Sequence, residues 1–274
     1  MKNVLLIAFM YIFVSADSAS KETKTTAEDD GYKLVFSDEF NQPDGTHPDE
    51  RYWSCSRRGS STWNRWISNL PDVAIIRNGK LVCRAIRNRA LPSDTALMLT
   101  GAVETQGKFA FQYGKIEVRA KTNLHSGNFP AIWLIPESPA PQYPLGGEID
   151  IFESYGPNRN AEQAVHSHWT LDLKHPDKPN NKFVKHDINI NRWHVYGLVW
   201  TPDKLVFTID GKVTGVYAKS DNPYDLANLQ WPFDRPFYII LNQSLRKVGT
   251  DWGGDPDPNY VYETLFDWVR VYQR

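Results

Sequence analysis

The sequence predicts an all-β protein of two antiparallel sheets packed face to face. Three observations carry this reading. Short apolar runs, alternating or continuous, recur along the chain and are bounded by Gly, Pro, Asn or Asp. Two of the boundaries, Asn78-Gly79 and Asp210-Gly211, are two-residue turns of the kind that closes a hairpin. No long stretch repeats apolar residues at helical spacing, so no amphipathic helix competes for the core. At 274 residues the chain is within the range of one all-β domain. A hydrophobic content of 41% with 23% charge suits a packed core rather than disorder.

Taken in order, residues 34–40 read as a short strand running into the acidic turn Asp38-Glu39. Trp63-Asn64-Arg65-Trp66 is polar and aromatic and reads as a loop. Residues 72–85 form strand, Asn-Gly turn, strand. Around 113–120, Ile116, Val118 and Ala120 alternate with Glu117 and Arg119, a half-exposed strand. Residues 129–136 are continuously apolar and belong in the middle of a sheet. The segment 136–145 holds four prolines, which fix φ and exclude a helix. It delivers the chain into Glu148-Ile149-Asp150-Ile151-Phe152-Glu153. Residues 164–169 read as a further strand, on which His166 and His168 share a face. Strands follow at 193–201 and on either side of Asp210-Gly211. Residues 237–244 form a central strand whose polar end, Asn242, reaches toward any cleft on that face. The loop 246–260, rich in Gly, Asp and Pro and carrying Trp252, reads as a wall. Residues 266–272 make the last strand.

The acidic strand carries the chemistry. Alternation puts Glu148 and Asp150 on one face and Ile149 and Ile151 on the other. Strict alternation would bury Glu153, so one extra residue near Ile151-Phe152, a β-bulge, is expected to return it to the acidic face. Carboxylates this close raise one another's pKa. The main reaction that needs one ionised and one protonated carboxyl side by side is glycoside hydrolysis. Two carboxyls on one bulged strand fall near the separation of about 5–5.5 Å typical of retaining enzymes. A lectin needs no three stacked acids. A Ca²⁺ ion, with about six to eight oxygen ligands from flexible loops, fits a stiff strand less well.

Glu-Ile-Asp-Ile-Phe-Glu resembles the E-x-D-x-x-E signature of glycoside hydrolase family 16, laminarinase-like branch. The chain is similar to that family from about residue 33 to 274. Tyr113-Gly-Lys-Ile-Glu-Val-Arg-Ala, then Phe-Pro-Ala-Ile-Trp133, and the closing Asp267-Trp-Val-Arg-Val-Tyr carry the likeness. The resemblance implies a concanavalin A-like β-jelly-roll sandwich with a catalytic cleft on its concave face. It implies Glu148 as nucleophile, Glu153 as acid/base and Asp150 tuning the pair, with no cofactor in the chemistry. Asn64, Trp66, Phe129, Trp133, His168, Asn242 and Trp252 are the expected substrate contacts. Arg65 stands where the family has an acid, Phe129 where Trp is common, and residues 243–247 lack the usual glycines; all are expected near subsites. A structural calcium would be held by Glu39, the Gly79 carbonyl and Asp267. The implied substrate is a β-1,3- or mixed-linkage glucan, with galactose linkages of algal or mucin-type glycans as the alternative on the same scaffold.

Net charge is −1, which gives no case for nucleic acid or an anionic membrane. Lys2 and the apolar run 4–14 read as a secretory signal, too short to span a bilayer. The expected organisation is a signal over 1–19, a flexible leader over 20–31 and one domain over 32–274, acting as a monomer on a glycan, secreted or periplasmic or at the cell surface after signal cleavage. Cys55 and Cys83 either pair or remain core thiols.

Overall fold

The apolar runs become strands. A computed structural model describes residues 31–89, 93–171, 182–185, 188–246, 248–249 and 253–274. The expected signal, nearly all of the expected leader, and Trp252 lie outside the described residues. Strands β1 (Lys33–Asp38) and β2 (Ser54–Cys55) precede a 3₁₀ turn at Pro71–Val73. Then come β3 (Ala74–Ile76), β4 (Leu81–Arg87), β5 (Met98–Glu104), β6 (Ala110–Phe111), β7 (Gly114–Thr122), β8 (Asn128–Pro136) and β9 (Glu148–Glu153). Strand β10 (Ala161–His166) leads into helix α1 (His168–Leu171). Strands β11 (Lys182–Lys185), β12 (His194–Trp200), β13 (Lys204–Ile209) and β14 (Lys212–Ala218) precede helix α2 (Pro223–Ala227). Strands β15 (Phe237–Leu245) and β16 (Tyr262–Gln273) follow.

Hydrogen bonds link the strands in the order β11-β10-β9-β8-β15-β5-β4-β16-β7-β12-β13-β14. The two packed antiparallel sheets that were expected join into one continuous ladder, because β4 and β5 pair over Ala85↔Thr100 to Arg87↔Met98. The two halves nevertheless pack as layers around one core. Ile132, Ile149, Ile151, Phe152 and Leu241 from one half meet Ile116, Val118, Tyr196, Phe207 and Phe266 from the other. Phe152 stacks on Tyr196 with centroids 4.3 Å apart. Both hairpin turns form where the sequence put them. Asn78-Gly79 and Asp210-Gly211 each take two positive φ angles, which a type I′ turn requires.

The strand expected over 164–169 stops at His166. Ser167 and Thr170 then cap a helical turn reciprocally: Thr170 Oγ1 accepts from the Ser167 N–H at 2.8 Å, and Ser167 Oγ from the Thr170 N–H at 3.3 Å. Side chain-to-backbone bonds of this kind compete successfully with a sheet ladder. Cys55 and Cys83 are free thiols, the latter buried.

Candidate active site

The bulge on β9 is present. Against β10, Glu153 faces Glu162 while Asp150 faces Ala164, so three steps on β9 span two on β10. Against β8, Phe152 faces Ile132 while Asp150 faces Trp133, so Ile151 is the extra residue. Ile149, Ile151 and Phe152 thus enter the core. Glu148, Asp150 and Glu153 line one small recess of about 70 Å³ with Trp63, Phe129, Trp133 and Asn242. This recess adjoins a cleft of about 930 Å³.

The electrostatics follow from that crowding. Burial first, then the negative charges of Asp150 and Glu153, push the Glu148 carboxyl well above the ordinary glutamate range. Its side chain is still 18% exposed, so it meets the cleft. Asp150 is 2% exposed. His166, opposite Glu148 on β10, places Nε2 at 2.9 Å from Asp150 Oδ2 and 3.7 Å from Glu148 Oε1. Tyr155 donates its hydroxyl to Glu153 Oε2 at 2.6 Å. Burial, then the Glu153 charge, raises the Tyr155 phenol, so it remains a donor across the working range of pH. Glu148, Asp150 and His166 also bring their ligating atoms within 4.8 Å of one another.

Aromatic side chains wall the recess. Trp133 donates from Nε1 to Asn242 Oδ1 at 2.8 Å, and Trp63 meets it edge-on at 4.8 Å. Phe129 tilts against Tyr155 at 5.3 Å. Ser244 fixes the loop beneath Trp63 by donating to the Trp63 carbonyl at 2.7 Å. Trp133, Phe129 and Asn242 therefore gather at the carboxylates, with Asn242 holding the indole in place.

Other expected contacts lie elsewhere. Asn64 turns back on its own loop, where Oδ1 accepts from the Ser61 N–H at 3.0 Å, and its neighbour Trp63 lines the cleft instead. Trp66 packs with Ala85, Met98, Leu245 and Tyr262, under the Arg65 guanidinium at 4.1 Å. The turn between Trp63 and Trp66 sends the two rings to different places. His168 opens α1 and does not line the cleft; it is His166, the last residue of β10, that contacts Glu148 and Asp150. Gln243 faces the core, bonded to Asn128 at 2.7 Å and Thr264 at 2.7 Å, since alternation turns it away from Asn242. Tyr155 and Glu162 were not anticipated; Tyr155 is legible as the next same-side position after Glu153.

The two carboxylates assigned to calcium are paired with basic side chains in this structure. Glu39 is engaged by Arg270 at 2.8 and 2.9 Å. Asp267 is engaged by Lys80 at 2.8 Å and by Arg119. Both carboxylates already have cations from neighbouring strands.

The pattern of Glycosyl hydrolases family 16 matches residues 76–268. The chain is 33% identical over 253 residues to a keratan-sulfate endo-1,4-beta-galactosidase of Sphingobacterium multivorum, covering 91% of this chain and 57% of that protein. It is 28% identical over 275 residues to glucan endo-1,3-beta-glucosidase A1 of Niallia circulans, covering 89% of this chain and 38% of that one. The chain therefore spans about half the length of these relatives or less. A solved structure from work on endo-acting O-glycanases that initiate mucin breakdown in the human gut microbiota superposes with a TM-score of 0.77. The two are 30% identical, over 88% of this chain and 100% of that one.

Proposed function

The chain belongs to Glycosyl hydrolases family 16, and on that premise we propose that it is an endo-acting, retaining β-glycosidase cutting internal bonds of a polysaccharide or glycan. One observation carries this: the bulge at Ile151 that turns Glu148, Asp150 and Glu153 onto the same open recess. Glu148 attacks the anomeric carbon as the glycosidic C–O bond breaks, and Glu153 passes its proton to the departing oxygen. The glycosyl-enzyme ester removes one negative charge beside Glu153, which favours its ionised form. Glu153 then takes a proton from water, the water oxygen bonds to the anomeric carbon, and Glu148 leaves. Two inversions retain the configuration. The crowding that raises Glu148 keeps a proton in the set to higher pH than an isolated carboxyl would. Tyr155 orients Glu153, and Trp133 supplies a flat apolar floor for the reacting sugar. No cofactor takes part.

Two substrates are compatible with this site. A β-1,3- or mixed-linkage glucan accords with the likeness to the Niallia enzyme. A galactose linkage in keratan- or mucin-type glycan accords with the likeness to the galactosidase and the O-glycanase. The departure at Phe129, which lines the recess, weakens the plain glucan assignment. Glu148→Gln is expected to abolish turnover of whichever substrate is cut while preserving the fold. Reducing-end release from laminarin, barley glucan, agarose, keratan sulfate and mucin identifies it; full activity in that variant would end the proposal. The protein is further read as secreted, on the strength of Lys2 and the apolar run 4–14. N-terminal sequencing of exported protein should begin between residues 17 and 20.

A further inference from the structure

The segment between β8 and β9 builds more than a connection. Pro136, Pro139, Pro141 and Pro144 each fix φ, leaving the loop few conformations. Its return is locked at Gly146 and Gly147. A Cβ on Gly146 would lie 2.6 Å from the Pro141 carbonyl oxygen, and one on Gly147, at φ +85°, 2.7 Å from Pro232. Backbone bonds Leu145 N–H to Gln142 O at 2.8 Å and Gly147 N–H to Pro144 O at 3.1 Å close the turn. On this stiff support Tyr143 is held 59% exposed while still lining the cleft. An aromatic ring this large, kept in water on a rigid loop above a catalytic cleft, adds nothing to the core.

Its position relative to the carboxylates follows from the sheet order. Trp133 stands on β8, Glu148 on β9, and the Tyr143 ring lies 6.3 Å from that of His166 on β10. Trp133 and Tyr143 therefore flank Glu148, across two strand spacings of about 10 Å. We propose that Tyr143 forms a saccharide subsite for the sugar unit adjacent to the reacting one, stacking its ring on the apolar face of that pyranose. This deepens the glycosidase reading and rests on it. Because the loop is already ordered, little conformational freedom is lost on binding, so the subsite acts through affinity for longer chains.

The test compares oligosaccharide ladders of increasing length, prepared from laminarin and from keratan sulfate. In the wild type, kcat/KM rises steeply once a chain is long enough to reach Tyr143. Tyr143→Ala is expected to lose about tenfold more on the long chains than on the shortest one cleaved, mainly through KM. Tyr143→Phe, which keeps the ring, retains the wild-type length dependence. Equal loss at every length, or no loss, overturns the subsite alone. A wild type that cleaves neither ladder and none of laminarin, barley glucan, agarose, keratan sulfate and mucin overturns the glycosidase reading, and the subsite with it.

Discussion

Glu148 shows how one residue's place in the fold sets both chemistry and stability. Its carboxyl is raised first by burial and then by Asp150 and Glu153. A carboxyl raised on folding favours the native state at low pH and ceases to do so as pH climbs through its folded value. At neutral pH the ionised group therefore works against the fold. Glu148→Gln removes the charge and keeps the shape. Calorimetry should find its Tm above that of the wild type at about pH 8, with the gap closing toward about pH 4. A gap that is constant with pH would mean that the charge is not the cause. The three acids were legible because acids in an apolar run are conspicuous. The choice between His166 and His168 was not, because both sit at even positions. Ser167 and Thr170 end the strand between them.

At the scale of elements, the wall beside the carboxylates depends on one guanidinium. Arg65 donates to the carbonyls of Thr62, Leu245 and Arg246, tying the loop that carries Trp63 to the end of β15. Burial lowers it to about 10, so it stays charged at neutral pH. Arg65→Ala leaves those carbonyls without their donor and should cost about 1–3 kcal/mol in urea unfolding, with a raised KM as Trp63 loosens. Arg65→Lys should recover little, since an ammonium cannot fork between carbonyls as the planar group does. An unchanged KM in both variants would disconnect the loop from substrate binding. The sequence placed Arg65 on this loop and marked it as a departure. It contained no sign of the far carbonyls that the guanidinium reaches, because they lie 180 and 181 residues away. The bulge on β9 was legible for the opposite reason: its signal is local, three acids that one flat strand cannot keep on one face.

For the whole molecule, cross-strand ion pairs tie the outer face of β4, β7 and β16. Burial tends to raise Asp267, but hydrogen bonds and charge from Lys80 and Arg119 outweigh it and hold the carboxyl below the usual range. A depressed carboxylate stabilises the fold above its unfolded pKa and loses that contribution as pH falls through the folded value. Stability should therefore decline on the acid side through Asp267 and on the alkaline side through Glu148. Chelation is expected to leave Tm unchanged, whereas Asp267→Asn lowers it slightly and removes part of the acid limb. A fall in Tm on adding EDTA would restore the metal.

The sequence by itself determined many of the longer strands, the two I′ turns, the bulge and the clustering of the three carboxylates. Each is written in a period or a turn over fewer than about ten residues, where backbone sterics and burial act locally. Only the tertiary structure decided that Trp63 rather than Trp66 meets Trp133, that Gln243 faces inward, and that Lys80, Arg119 and Arg270 occupy the carboxylates assigned to calcium. Those outcomes depend on partners far along the chain. A side chain's neighbours across a folded sheet are set by register and by how the two layers close, and no local pattern encodes either.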